Sequence, residues 1–506
     1  MAEFDQLLAQ GHQYSAMGRY SEAANLFAAA AKMAPDSHEA MRGLGIALSH
    51  VKLNAATAYL VLEQAAHLNG GMLDGEASQA YALSLAYGGN SERAAAVLDS
   101  LVSSGGTATQ HHWRTEQYWQ VGDLAVTHRA ADDLLRHPDL WAPAAGTRAV
   151  LTPKLVINTV IGEQANRLEL ICKARTLGWP VPDTLILDAS GEVVNASFLD
   201  YWRPHFTVVE EGAQFRPAAK QFSTFALRGA DGSAYVRNVA CALANREWAR
   251  RGLPPVLSLT PQHRERGEAV LREMGIPRDA WYVSLHVRSS SFADDGHDNH
   301  NALRNAPVDS YLPAIRRIVE AGGWVVRMGD ARMSPLPVMD GVVDYATSRW
   351  KSDWMDVFLC GSPAFFVATQ SGLQCVAQAF GVPLVVTNVL PNSIYSVDEN
   401  DLYIPRKLFL RGEGRMLSFR EAFRPPYVNK EAAAAFERLD VEVPLHTAEE
   451  IVGVVDEMIE RQLGHIRYTE ADHRLQRRFT AGVDYHGFGQ MGRLGRKFLR
   501  DHMHYL

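Results

Sequence analysis

The hydrophobic and small residues of this chain change texture near residue 150. In "GHQYSAMGRYSEAANLFAAAAKMAP", Gly11, Tyr14, Ala23, Phe27, Ala30 and Pro35 take the alternating small and large positions of a helical pair, where small residues let one helix press into its partner. About one repeat length later Leu44, Gly45 and Leu48 recur, and "ASQAYALSLAYGGNSERAAAVLDSL" supplies a third unit with Ala82, Gly88, Ala94 and Leu98. From Leu155 onward, short β-branched runs alternate with helical segments, the pattern of parallel sheets covered on both faces. The runs "KLVINTV", "DTLILD", "HFTVVE", "WYVSLHV", "WVVRMG", "VVDYA", "AFFVATQ" and "PLVVTNV" predict strands. Between them "EQANRLELICKARTLG", "PQHRERGEAVLREMG", "SYLPAIRRIVEAGG", "MDVFLCGS" and "LQCVAQAFGV" predict helices.

Residues 1–105 resemble tetratricopeptide repeats. Three such units are about the minimum for a stable stack, and they create a concave surface suited to a peptide or partner domain; the plainer alternative is an ordinary helical bundle. "SSGGTATQ" breaks the pattern, and residues 106–150 read as a helical linker passing through "HRAADDLLRH" to "WAPAAGT". The strands that follow split into an earlier and a later group. They predict a first doubly wound domain over 151–274, a second over 275–445, and a C-terminal helical segment over 446–506 whose end packs back across the first domain. The expected fold class is therefore α/β, a pair of Rossmann-type domains facing across a cleft, preceded by an all-α repeat domain.

Length and composition fit this division: 506 residues, 47% hydrophobic and 21% charged, can bury several cores. A net charge of −7 gives no footprint for nucleic acid. Cys172, Cys241, Cys360 and Cys375 lack C-x-x-C spacing, so neither a zinc site nor a disulfide framework is suggested, and a reducing cytoplasm fits. No apolar run reaches about 18 residues, so no transmembrane segment is expected and any membrane contact would be peripheral, at the inner membrane.

In an open parallel sheet, ligands bind beyond the carboxyl ends of the strands, and four strand ends here are polar. His286 and Arg288 close "YVSLHVR", Arg327 and Asp330 close "WVVRMGD", "TQSGL" follows "AFFVA", and Thr387 with Asn388 follows "PLVV". Ser371 and Gly372 open a helix whose free N–H groups suit a phosphate, although serine is also an ordinary N-cap. His286 and Arg288, two apart, share a face if the strand continues through them; the alternatives are a core histidine and a surface salt bridge. Arg327 nearby tips the balance toward a pyrophosphate, since clustered guanidiniums need an anion. Arg304, before the next helix, either reaches the cleft or pins its loop. The loop "SFADDGHDNHN" carries Asp294, Asp295, His297, Asp298 and His300 without metal-ligand spacing and reads as a lid or substrate loop. No metal and no cofactor are expected.

Taken in order, "LHVRSSSF", "LRNAPVDSYLPAI", "GGWVVRMGD", "TQSGLQCVAQAFGVPLVVTN" and "TAEEIVGVVDEM" resemble a bacterial group of glycosyltransferases associated with surface-carbohydrate genes, from about residue 150 to the C-terminus. More distantly, His-x-Arg at a strand end is similar to the donor-phosphate motif of GDP-fucose-dependent fucosyltransferases, and "IGEQANRLE" to their Gly-x-x-Asn loop. The resemblance implies a GT-B arrangement, a nucleotide-sugar donor held by the second domain, and metal-independent transfer. Arg288 would then bind the donor phosphates, His286 would shape that site, Ser371 and Gly372 would seat the pyrophosphate, and Gly162 and Asn166 would face the cleft from the first domain. The serines after Arg288 depart from the fucosyl pattern, which puts fucose in doubt.

The leaving nucleotide accumulates negative charge, so fixed donors at its phosphates favour the transition state. Glu163 is the first candidate for the general base and Asp294 or Asp295 the second; each is equally readable as a solvated acid. The leading expectation is a cytoplasmic glycosyltransferase whose repeats recruit a protein acceptor such as a flagellin, or a partner in surface-glycan assembly. A noncatalytic scaffold and a two-domain nucleotide-sugar epimerase are the competing classes. The absence of G-x-G-x-x-G after the first strand, and of a P-loop, argues against nicotinamide and P-loop enzymes.

Overall fold

The computed structural model describes residues 2–51, 54–140, 148–151, 160–182, 184–188, 193–210, 225–289, 302–391, 398–484 and 492–506. The chain forms two compact units, one of Met1–Leu134, Asp295–Leu303 and Pro425–Glu442, the other of Leu135–Asp294, Arg304–Arg424 and Val443–Leu506. No described helix is long and apolar enough to cross a membrane.

The first unit is a stack of helical pairs: α1 (Ala2–Ala16), α2 (Tyr20–Met33), α3 (His38–Ser49), α4 (Ala58–Leu68), α5 (Gly75–Tyr87), α6 (Ser91–Ser103), α7 (Ala108–Val121) and α8 (Leu124–Leu135). The small and large positions explain the packing. The Phe27 ring, 1% exposed, lies against Gly11 and Gly43, where an added Cβ would come within 2.8 and 2.5 Å of it. Burying such a ring stabilises by about 1.5–3 kcal/mol. Ser37, Asp74, Asn90 and Thr107 accept backbone N–H bonds as N-caps and so start four of the helices. Polar links then join neighbouring pairs: Arg42 reaches Asp74 at 2.6 Å and Glu76 at 2.7 Å, and Gln79 accepts from Gln110 at 3.1 Å.

The stack is longer than the sequence pattern implied. Arg114 on α7 reaches Asp99 on α6 at 2.6 Å and Asp133 on α8 at 2.9 Å, so helices expected to be a linker form part of the unit up to Leu134. A distant stretch joins it as well. Within Pro425–Glu442, buried Asn429 donates to the Trp119 carbonyl at 2.9 Å, and the Lys430 ammonium donates to the Gln120 carbonyl. These carbonyls end α7, where helices lack internal donors and favour positive charge. Val428 and Phe436 are buried in the same stretch, and the Ala435 backbone lies where a Cβ on Gly89 would come within 2.5 Å of it.

The second unit carries two parallel sheets. The smaller has β1 (Arg148–Leu151), β2 (Thr184–Asp188) and β3 (Thr207–Val209), in that spatial order, with Ala149 opposite Leu185 and Leu187 opposite Val208. A hairpin of β4 (Ala226–Arg228) and β5 (Ala234–Val236) follows. Helices α9 (Ile161–Thr176), α10 (Arg237–Arg250) and α11 (Pro261–Glu273) lie in the same unit, α11 against the helix Asp353–Gly361. Lys173 on α9, 4% exposed, bonds Glu169 at 2.8 Å and Asn245 on α10 at 2.9 Å. The predicted strand "KLVINTV" falls almost wholly outside the described residues.

The larger sheet contains β6 (Tyr282–His286), β7 (Trp324–Arg327), β8 (Val342–Val343), β9 (Phe365–Ala368), β10 (Leu384–Val389), β11 (Leu402–Pro405) and a last strand, Arg493–Leu494. Every pairing is parallel, and the spatial order puts β8, β7 and β6 on one side of the centre and β9, β10, β11 and the last strand on the other. This is the 3-2-1-4-5-6 winding of nucleotide-binding α/β sheets, extended by one strand, and its order reverses between β6 and β9. Its helices include α12 (Leu312–Glu320), α13 (Asp353–Gly361), α14 (Gly372–Ala379), α15 (Ala448–Gln462) and α16 (Glu470–Val483). The fold class is thus the expected one, stacked helical pairs followed by parallel α/β sheets.

The C-terminal tail does not pack back across the first sheet. Arg493–Leu494 pairs with β11, and the helix Arg496–Asp501 packs on α15 and α16, held by Arg500 to Asp472 at 2.6 Å and Arg496 to Glu460 at 2.9 Å. A strand hydrogen-bonding to the sheet edge fixes where the following helix lies.

Gly89 supplies a test of the 425–442 packing. Gly89→Val combines a left-handed backbone, φ +73°, with the close Ala435 contact. It should destabilise the protein by about 2–4 kcal/mol, read by calorimetry.

Candidate functional site

The carboxyl ends of β6 and β9 lie side by side, His286 opposite Ala368, at the point where the strand order reverses. Strands diverging to both sides leave a crevice there. Past His286 the chain stays tied to its neighbour: Arg288 N donates to Thr369 Oγ1 at 3.0 Å, Thr369 N donates to the His286 carbonyl at 3.3 Å, and Ala306 N donates to the Arg288 carbonyl at 3.0 Å. Arg288, 7% exposed, is therefore fixed at the crevice. Beside it, a cavity of about 420 Å³ is lined by Val287, Ser289, Asn305, Arg327, Arg332 and Ser334 among others.

Two helix N-termini meet at this end of the sheet. α9 runs beside α14, and an added Cβ on Gly162 would sit 2.6 Å from the Gly372 Cα. Only glycine at both positions allows so close an approach. The positive ends of two helix dipoles then lie together with their N-terminal N–H groups. Ser371, the N-cap of α14, is 7% exposed, makes no side-chain cap bond, and has its Oγ buried without a hydrogen-bond partner among the described residues. Gln164, one residue beyond Glu163, is fully buried with both amide atoms unpartnered. A buried polar group without a partner is costly, about 1–3 kcal/mol.

Glu163 lies in the first turn of α9 rather than in a loop. Arg167 Nε donates to it at 2.5 Å and Arg237 NH1 at 2.9 Å. Burial pushes its carboxyl up, but the charges of Arg237, Arg167 and Arg304 bring it down to about 2. A carboxylate held so firmly ionised is a weak proton acceptor, and this geometry does not favour Glu163 as general base. Arg304 acts on Glu163 and so belongs to the same charged group.

His286 stands on the other side of the crevice. Its Nδ1 is buried without a partner. Burial, then the charges of Arg327, Arg288 and Lys351, lower its imidazole to about 3, so it is neutral. It cannot help Arg288 as a second cation.

Other predicted positions have internal partners. The Arg327 guanidinium donates to Asp344 at 2.9 Å and to the Ser334 carbonyl at 3.2 Å, so the expectation that it lacks a counter-charge is corrected: a carboxylate from beyond β8 supplies it. Arg327 still lines the cavity, with Nε unpartnered. Asp330 is taken up by its own turn, bonding Arg332 at 2.7 Å. Thr387 and Asn388 lie inside β10, not beyond it, and are 0% and 1% exposed. Thr387 Oγ1 bonds the Tyr311 hydroxyl at 2.5 Å, and Asn388 bonds Tyr311 at 3.1 Å and the His446 backbone N–H at 3.0 Å. These bonds hold both side chains inside the fold, within the strand that "PLVVTNV" predicts. Asn166 lines a narrow gap with Glu169, Cys241 and Gln378 and hydrogen-bonds Cys375. Asp294, Asp295, His297, Asp298 and His300 lie outside the described residues.

The site thus assembles Gly162, Glu163, His286, Arg288, Arg304, Ser371 and Gly372. Two further members, Arg167 and Arg237, were not expected. The Glu163-x-x-x-Arg167 spacing was a readable helical ion pair, whereas nothing local marks Arg237, which starts a different helix 74 positions from Glu163.

No family model matches the sequence and no curated protein matches it. Among solved structures, the chain is similar to a thermophilic TPR protein of Thermus thermophilus, with 20% identity over 27% of this chain and 91% of that one and a TM-score of 0.18. It is similar to a glycosyl transferase family 9 protein of Veillonella parvula, with 10% identity over 63% and 99% and a TM-score of 0.35. A mutant O-GlcNAc transferase of Thermobaculum terrenum matches with 13% identity over 99% and 96% and a TM-score of 0.30. At these scores the likeness is loose, and the chemistry has to come from the site itself.

His286 yields a pH prediction. Its folded imidazole takes up a proton near pH 3, against 6.5 ordinarily, so below pH 6.5 the unfolded chain binds the extra proton and stability falls as the pH drops from 6.5 toward 3. His286→Gln removes this contribution. Between pH 6.5 and 4 the variant should lose less stability than the parent in urea unfolding.

Proposed function

We infer that the α/β unit is a glycosyltransferase whose nucleotide-sugar donor lies at the β6–β9 crevice. One observation carries this reading: two helix N-termini pressed together at Gly162 and Gly372, beside buried Arg288 and an unpartnered Ser371 hydroxyl. Positive potential of that density suits a diphosphate better than a neutral ligand. The neighbouring cavity of about 420 Å³ has room for the nucleoside, with Ser289, Asn305 and Arg332 as polar lining.

In the reaction, the bond between the sugar's anomeric carbon and the donor phosphate breaks and a bond from the acceptor oxygen forms. Charge then grows on the departing diphosphate. Arg288, Arg304 and the N–H groups of α14 are already in place to meet it, so they stabilise that charge without reorganising. They supply the positive charge that a metal ion supplies elsewhere. The acceptor hydroxyl gives its proton to a general base; with Glu163 held by guanidiniums, Asp294 or Asp295 takes that role. The helical unit recruits the acceptor, a protein such as a flagellin or a growing surface glycan, or a partner that brings it.

The test is a thermal-shift and calorimetric panel of nucleotides and nucleotide-sugars in EDTA. A nucleoside diphosphate at 100 times its Kd should stabilise the protein by about 2.7 kcal/mol. Arg288→Ala should weaken it by about 1.5–3 kcal/mol. Nucleotide release that requires an acceptor marks transfer; donor conversion without acceptor marks an epimerase; no binding by any nucleotide refutes the assignment.

A further inference from the structure

Resting on the donor-binding reading above, we propose that Asn305 and Arg327 select the base of the nucleotide: together they form a wall of the cavity that hydrogen-bonds a neutral, planar group. Both side chains line that cavity. Arg327 closes β7 opposite Leu285 of β6, and Val287, the residue after β6, lines the same space. The cavity therefore sits at the carboxyl ends of β6 and β7, about one strand spacing, ~4.8 Å, from the β6–β9 crevice, so one nucleotide reaches both. Asn305 is held at this wall by its neighbour, since Ala306 N donates to the Arg288 carbonyl at 3.0 Å.

The hydrogen bonds decide what this wall takes. Arg327, 3% exposed, donates from NH1 to Asp344 at 2.9 Å and from NH2 to the Ser334 carbonyl at 3.2 Å. Asp344 is itself fixed, its second oxygen accepting Leu336 N at 2.8 Å. The guanidinium is thus matched in charge and pinned in one plane, which suits it to a neutral partner rather than to a phosphate. Its Nε, a donor, is buried without a partner among the described residues, and so is Asn305 Oδ1, an acceptor. An unsatisfied buried polar atom is costly, and an occupant relieves that cost only by bringing an acceptor to the first and a donor to the second. A ribose hydroxyl rotates and serves as either, whereas a base carries its donors and acceptors at fixed places. A pinned donor and acceptor therefore tell bases apart: one with the two kinds exchanged leaves its own groups and the wall unmatched.

Calorimetric titration of the full chain with ADP, CDP, GDP, UDP and inorganic pyrophosphate tests this. The parent should prefer one base by about tenfold or more. Asn305→Ala should weaken that nucleotide about tenfold, bring the four within about threefold of one another and leave pyrophosphate unaltered. Arg327→Lys keeps a cation beside Asp344 but loses the planar fork and its Nε, and should have the same effect. Either variant decides the matter if the other fails to fold. A parent that binds the four nucleotides alike overturns the inference, and so does a variant that keeps the parent's preference. Equal loss of nucleotide and pyrophosphate also overturns it, since the residues would then support the whole site rather than read the base. A parent that binds pyrophosphate but none of the nucleotides sinks the donor reading itself, whereas nucleotide binding without base preference sinks only the selection by Asn305 and Arg327.

Discussion

Two helices that begin at the same point in space bring like partial charges together, and α9 and α14 do so through a glycine each. That contact is favourable only if something negative shares the space. Glu163 supplies negative charge from within the chain, where Arg167 and Arg237 meet it. The Ser371 hydroxyl, buried and without a partner among the described residues, lies at the start of α14.

Sheet topology decides where this happens. Only between β6 and β9 do connections leave in opposite directions, so only there does the carboxyl edge lack a covering crossover. The Thr369 hydroxyl accepts the Arg288 backbone N–H across that gap, holding the arginine's backbone to the strand frame. Elsewhere along the edge, polar residues serve the fold. Asp344 neutralises Arg327 from the far side of β8, and Tyr311 gathers Thr387 and Asn388 into an internal network that joins β10 to the turn before α12.

The helical unit follows a different rule. Its order comes from glycine and alanine letting rings such as Phe27 sink between helices, with polar caps setting where four of the helices begin. The last carbonyls of α7 are closed by Asn429 and Lys430, each 310 positions further along the chain. The unit's surface near α7 is thus already occupied by its own chain.

The sequence by itself determined the elements whose signal is local. Alternating small and large residues gave the helical pairs, and β-branched runs gave β2, β6, β7, β9 and β10. It also named His286, Arg288, Ser371 and Gly372, as polar residues and a glycine at strand ends, whereas Gly162 came only through a family resemblance. β11 escaped notice, being four residues that end in proline behind an acidic stretch. Tertiary structure alone decided which charges meet: Arg237 with Glu163, Asp344 with Arg327, Lys430 with the end of α7. Electrostatic balance depends on distance in space, and neither spacing nor composition encodes the distance between side chains on separate helices; packing of the sheets and helices sets it.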